Sequence, residues 1–334
     1  MNKLDTLKLI FPCDGCIDRV DYHAFSFHQI IKSDGNKTQF HRAEPGRLPF
    51  GLKEVKVTAS SVYLELSAKI LQDRYIELIN RETVLKTIMA CSSDVISFQH
   101  ERVLKMALVM KADCTLNIAL PSAGMKSTLF ALQMLRPQAY RPESFKGESV
   151  VFRPAHKTSA KYYRQTFYDK VTELKRHKSE LAYINPAGFQ GTIRYEVNLK
   201  HWSQLRLAAG QGRHSGGVSL AELLGYDGSM NALVFQQLLV DRNCQPELFR
   251  EYSPDTDIKD IIEKEGIKGI CRACQLDIAL IESFLKLHTN SRPTYQRYKS
   301  ACIEVLNRLQ AEVSLGSSDT TIAELQENLL IAAY

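Results

Sequence analysis

Three acids, Glu65, Asp113 and Glu196, stand in three separate stretches whose apolar residues recur at every second place. Carboxylates on the polar faces of neighbouring strands can converge on one side of a sheet. Converging carboxylates bind a hard cation such as Mg²⁺ or Mn²⁺, because such ions prefer oxygen ligands. An acid on the wet face of a half-exposed strand is ordinarily just solvated, so position alone does not make a ligand. A second constellation occupies 162–174, where Tyr168 is followed by Asp169, Lys170 and Glu173. Tyr168 would close a strand just before a helix begins, and Lys170 would share its face while the chain stays extended. A tyrosine has a free pKa of about 10 and needs a cation or a base beside it to act as a nucleophile. The same run also reads as packing, a helix cap and a solvated charge.

Segment 141–180 carries ten Lys or Arg against five acids, a net charge of +5. Arg153, Lys157, Lys161 and Arg164 in it, with Arg194 beyond it, are the expected phosphate contacts. With tyrosines available to stack on bases, that combination suits single-stranded DNA.

The elements that must position these groups are legible from period. From Leu104 to Leu120 apolar residues hold one parity, and Lys105, Lys111, Asp113, Thr115 and Asn117 the other, broken only by Ala107, Val109 and Ala119. Period two over this length means extended chain with one buried face, and its length suggests two strands or a bend. The same rule gives half-buried antiparallel strands over 61–70 and 191–200, and 148–153 is a further strand. A helix is expected from Pro121 with Ser122 as its N-cap, and another from the cap Asp169, carrying Val171, Leu174 and Leu181 on one side. Residues 208–219, rich in glycine, break both periods and read as a linker. Helices are expected beyond it at 220–224, 231–240, 257–265, 267–287, 295–313 and 320–332. The expected class is therefore α+β: an antiparallel-sheet domain over 1–207, the linker 208–219, and an all-helical domain over 220–334.

Composition sets the frame. The 334 residues are 44% hydrophobic and 24% charged, which suits two soluble globular domains. No apolar run approaches the roughly 20 residues that span a bilayer, so no membrane partner is expected. An acid inside the apolar part of MNKLDTLKLIFPCDG argues against export, and eight cysteines then read as reduced thiols in a cytoplasmic protein. The net charge of +6 permits a nucleic-acid partner without requiring one. Two CxxC pairs, Cys13/Cys16 and Cys271/Cys274, have the ligands for zinc but lie far apart, and buried thiols are the plainer reading. No glycine pattern matches a phosphate loop. A helix-turn-helix around 260–287 and a plain packed helix pair suit that stretch equally.

Taken in order, LELSAKILQ at 64–72, KAD at 111–113, YDKVTEL at 168–174 and TIRYEVNL at 192–199 resemble the motifs of filamentous-phage gene II protein. Those motifs are shared by the related rolling-circle plasmid initiators. The resemblance covers roughly residues 1–205 and, more loosely, the helical part with EGIKGICRACQLD. It implies an HUH-endonuclease-like nicking domain followed by a helical domain for DNA binding or assembly. It further implies a site-specific endonuclease and strand transferase that nicks origin DNA, single-stranded or supercoiled, and retains the 5′ end as a phosphotyrosine. The free 3′ hydroxyl then primes a host DNA polymerase, with a host helicase as a further partner, and the strand is rejoined after one round. By motif match Tyr168 takes the nucleophile's place, with Lys170 and Glu173 as companions. Asp113 and Glu196 fall on characteristic acids and, by the polar-face argument, are assigned to Mg²⁺ or Mn²⁺ with Glu65 as a third ligand. Wider relatives use a His-hydrophobic-His metal motif, and none of the nine histidines stands in one; His156 and His100 are single imidazoles with nothing to place them. Two other readings stay open: a plasmid-mobilising relaxase, and a non-catalytic origin-binding regulator.

Overall fold

The computed structural model describes residues 1–31, 33, 37–135, 137, 139–145, 147–155, 162–211, 216–240, 257–274, 278–289, 291–312 and 318–333. Among the described residues twelve strands follow in order: β1 (Leu4–Pro12), β2 (Ile17–Val20), β3 (Phe25–Ile31), β4 (Lys37–Ala43), β5 (Leu52–Val57), β6 (Ser61–Ser67), β7 (Ile96–Phe98), β8 (Leu108–Ala119), β9 (Tyr140–Phe145), β10 (Ser149–Pro154), β11 (Arg164–Tyr168) and β12 (Thr192–Leu199). Together with the helices they make a mixed α+β protein. The chain forms two compact units. One gathers Met1–Ala119, Thr158–Val234 and Leu329–Tyr334; the other gathers Leu120–Lys157 and Phe235–Asn328.

In the first unit the strands form an antiparallel sheet in the order β3-β4-β5-β6-β1-β8-β12-β11. Alternation splits it into two faces. Leu7, Leu9, Leu64, Leu66, Cys114, Leu116, Ile193 and Val197 are buried on one face. Helices Trp202–Ala208 and His100–Met106 pack against β8 and β1. The other face carries Arg42, Glu54, Lys56, Glu65, Lys8, Asp113, Asn117, Arg194, Glu196, Asn198 and Tyr168, opposed in register. Helix Lys170–Arg176 and the 3₁₀ turns Ala68–Glu77 and Pro186–Phe189 lie against one another and cover its β12 end.

Several expected boundaries move. Leu104–Met106, expected to be extended, end the helix His100–Met106, and the strand starts only at Leu108. A register shift against β1 between Lys8 and Leu9 brings both Val109 and Ala112 inside, although their parities differ. An added residue of this kind flips the inward parity along one strand, which is why a single parity over the stretch did not describe it. β6 stops at Ser67, whose hydroxyl accepts from the Lys69 amide and opens the 3₁₀ turn. Ser122 is not a cap: the helix begins at Gly124, and Ser122 donates its amide and hydroxyl to the Glu324 carboxylate at 2.7 and 2.9 Å. The continuous helix expected over 267–287 is instead Ile258–Ala273, kinked at Gly266 with φ +68°, and Ile278–His288. Leu181 falls in a 3₁₀ turn beyond the helix end and is exposed. Asp169 does cap its helix, accepting from the amides of Val171 and Thr172.

The described parts of 208–219 lie inside the first unit. Val218 is buried, and its carbonyl accepts from the Val109 amide at 2.8 Å. Asn2 donates to the carbonyls of Ala208 and Leu223, and Asn231 to those of Cys114 and Tyr195, so chain on both sides of this stretch is fastened to the sheet unit. In the second unit β9 and β10 form a hairpin. Ile261, Ile270, Ile281 and Phe284 build an apolar core with Cys271, Cys274 and Cys302. The paired cysteines of the two CxxC motifs thus lie in different units, and Cys271 and Cys274 are core side chains.

Candidate active site on the polar face of the sheet

β11 and β12 run antiparallel with Tyr168 opposite Arg194 and Thr166 opposite Glu196. Tyr168 and Glu196 are diagonal neighbours on one face, a spacing that long side chains bridge. The Tyr168 hydroxyl donates to Glu196 Oε1 at 2.6 Å. Arg194 Nε donates to the same oxygen at 3.3 Å, and its Nη2 lies 3.2 Å from Asp5 Oδ1. Arg194 is 0% exposed and Lys170 1%. Lys170, at the first turn of the helix capped by Asp169, pairs with Glu173 at 2.5 Å. Its ammonium sits 5.1 Å from the centre of the Tyr75 ring and 5.7 Å from that of Tyr168. The Arg194 guanidinium lies 4.8 Å from the Tyr75 ring centre, with Phe189 beyond. Two cations, the carboxylates of Asp5 and Glu196 and two phenols are thereby gathered under a small apolar roof, with Glu173 at its partly exposed rim.

Enclosure shifts their proton affinities. Burial, and then the Glu196 carboxylate, push the Tyr168 hydroxyl well above the ordinary tyrosine range, and Arg194 only partly offsets this. Burial, and then the charge of Asp5, raise the Glu196 carboxyl. Burial also raises Asp113, against the pull of Lys111 and a hydrogen bond from Asn198. Asp5 goes the other way: burial works to raise it, but Arg194 and Lys170 hold it below the usual carboxylate range. Lys170 is lowered by burial and by Arg194, against Asp5 and Glu173. As it stands, Tyr168 keeps its proton, and the nearest acceptor is a carboxylate with a raised proton affinity.

The other expected site residues are spread more widely. Asp113 lies opposite Asn198, whose amide donates to it at 2.7 Å, and so falls diagonal to Glu196 but four residues along β12 from the Tyr168 position. Glu65 is two strands away on β6, where it pairs with Lys8 at 3.4 Å. Among the described residues no three His, Cys, Asp or Glu side chains form a group that could hold an ion, so Glu65 does not complete a set with Asp113 and Glu196. Arg164 is exposed on β11, on the Tyr168 face. Arg194, expected at a phosphate, is instead sealed inside the network. Arg153 belongs to the β9–β10 hairpin of the second unit and pairs with Glu143 at 2.9 Å. Lys157, Lys161 and His156 lie outside the described residues. His100 Nε2 lies 3.0 Å from the Ser92 hydroxyl, away from these acids.

Asp5 and Tyr75 were not expected. Asp5 reaches the polar face because β1 shifts register against β8 between Leu4 and Thr6, which spoils the alternation that would have marked it. Tyr75 sits in the 3₁₀ turn between Gln72 (φ +51°) and Leu78 (φ +61°), two non-glycine residues in the left-handed region. Such conformations cost about 1–3 kcal/mol each and persist only where surrounding structure imposes them. The signal for Tyr75 was its place just after the LELSAKILQ motif. Comparison with protein-family models gives no match to this chain, and comparison with curated proteins gives none.

Proposed function

We propose that the sheet unit is an HUH-endonuclease-like nicking domain, and that the chain initiates rolling-circle replication as a site-specific DNA endonuclease and strand transferase, with the helices beyond it serving DNA binding or assembly. The observation that carries this reading is the 2.6 Å hydrogen bond from Tyr168 to Glu196 beside two enclosed cations. Tyr168 Oη attacks the scissile phosphorus while Glu196 Oε1 takes its proton. The bond from phosphorus to the 3′ oxygen breaks, that oxygen takes up a proton from water, and the 5′ phosphate stays on the tyrosine. One phosphodiester replaces another, so the released 3′ hydroxyl can later reverse the step without ATP. A raised proton affinity suits Glu196 to this transfer, since proton loss accompanies attack rather than preceding it. Lys170, over the Tyr168 ring, offsets negative charge as it develops on the phenolic oxygen.

Asp113 and Glu196 offer oxygen donors of the kind Mg²⁺ takes when one or two carboxylates share it with water and substrate phosphates. That pair fits the ion expected from the sequence; Glu65 does not join it. When bound, a divalent ion withdraws charge from the phosphate oxygens. Arg164, exposed on the same face, is a described cation placed to meet the DNA backbone.

A second reading is favoured by the enclosure itself. Arg194 and Lys170 are buried as fully as core residues, so the network can serve only to stiffen the sheet of an origin-binding regulator without catalysis. Supercoiled DNA of the protein's own replicon, incubated with Mg²⁺ or Mn²⁺, separates the two. Wild type is expected to yield nicked circles and a protein–DNA adduct stable to SDS, and Tyr168→Phe neither. Binding by both proteins with cleavage by neither would establish the regulator. Cleavage by the variant would move the nucleophile elsewhere.

A further inference from the structure

We propose that the outer edge of β3 is a self-association surface on which a second copy of this chain pairs antiparallel, joining two sheets about a two-fold axis through His28. β3 hydrogen-bonds only to β4 in the sheet, so its far side is an edge. An edge strand presents a row of unpaired N–H and C=O groups, and natural proteins guard such rows with charges or proline. β9, outermost in its hairpin, shows those guards, with Arg141, Pro142 and Glu143 in six residues. β3 reads Phe-Ser-Phe-His-Gln-Ile-Ile over seven residues, with no charged residue and no proline. Phe27, Ile30 and Ile31 are 57%, 53% and 63% exposed.

The sequence of this edge favours its own copy as the occupant. Antiparallel pairing about His28 sets Phe25 against Ile31, Ser26 against Ile30, Phe27 against Gln29, and His28 against itself. A two-fold axis brings like against like, so a charged strand would oppose its own charges; this one opposes none. The bonding groups of an antiparallel edge are complementary to the same edge rotated by half a turn. β3 is fastened to β4 by side chains as well as backbone: Gln39 donates to Gln29 at 3.0 Å, and the His28 ring stacks on Phe40 at 5.2 Å. Seven residues give an edge of about 24 Å. A contact that short falls at the small end of specific interfaces, so the dimer forms at micromolar concentration rather than nanomolar.

Light scattering and sedimentation of the full chain across concentration test the proposal. Wild type is expected to pass from monomer to dimer. His28→Lys, which sets two lysines directly opposite, is expected to raise the dimer dissociation constant about tenfold or more. His28→Cys should be cross-linked to a dimer by a short bis-maleimide. Ser26→Cys should not be, because its copy lies about 14 Å along the partner strand; the unsubstituted chain reports the background. A wild type that stays monomeric at about 100 μM overturns the proposal. So does a dimer indifferent to His28→Lys, or cross-linking of Ser26→Cys as efficient as that of His28→Cys. None of these readouts depends on DNA cleavage.

Discussion

The polar face of the sheet has two ends built from the same residue types. At the β12–β11 end Arg194 and Lys170 lie beneath helix Lys170–Arg176 and the turns carrying Tyr75 and Phe189, out of reach of water. At the β4–β5–β6 end Lys8, Arg42 and Lys56 surround Glu54 at 3.6, 2.9 and 3.0 Å, their own side chains partly in solvent. Solvent screens the second set, where each pair contributes little, whereas at the first set both cations have lost their hydration and depend on carboxylates that are 12–29% exposed. Burial of the cations, rather than charge count, separates the two ends. Glu54 illustrates the open end: burial works to raise it, but Lys56, then Lys8 and Arg42, hold it below the ordinary carboxylate range.

Substitutions at the two ends should therefore behave differently. Arg194→Met leaves Asp5 and Glu196 enclosed without their cation, and urea unfolding is expected to show a loss of about 3–5 kcal/mol. A loss below about 1 kcal/mol, the range of a solvent-exposed pair, would erase the distinction. Asp169→Ala removes two side-chain caps at the helix that roofs the enclosed end, and should cost about 1 kcal/mol in the same assay. For Asp113→Asn the sign matters more than the size. The folded state holds the Asp113 proton more tightly than the unfolded chain does, so the ionised carboxylate is a cost above its raised pKa, and that cost vanishes as pH falls through it. Asparagine, which keeps an acceptor for Asn198, is expected to raise the melting temperature at pH 8 and leave it unchanged at pH 3. A stabilisation confined to low pH would contradict the assigned direction. At the open end Lys8→Met should change stability by no more than about 0.5 kcal/mol, and salt titration should remove even that.

Legibility in the sequence followed the same division. β12 and most of β8 were readable because one face is wholly buried and the other polar, and Asp169 because a cap before an apolar run has a local signature. β1, at the centre of the sheet, carried no such pattern, since the shift at Leu4–Thr6 places Asp5 out of phase with Leu7 and Leu9. β3 was unreadable for the opposite reason: neither of its faces is deeply buried, so no alternation was imposed on it. Tyr168 and Glu196 could each be placed at a strand position from the sequence because both lie on regular strands, although the hydrogen bond between them was not expected. Arg194 could not be assigned inward, because its partners come from a register shift and from an irregular turn, and neither has a period.

The pairing of β1 with β8 also has a consequence for biosynthesis. Leu4 meets Cys114, roughly 110 residues later in the chain, and β12 must follow before β8 is flanked on both sides. At about 5–20 residues per second, β1 waits on the order of 5–20 s for β8. During that wait β6 can already pair with Leu7, Leu9 and Phe11, but the β8 side of β1 stays an open edge, and Asp5 and Lys8 are the charges standing between it and premature pairing with another nascent chain.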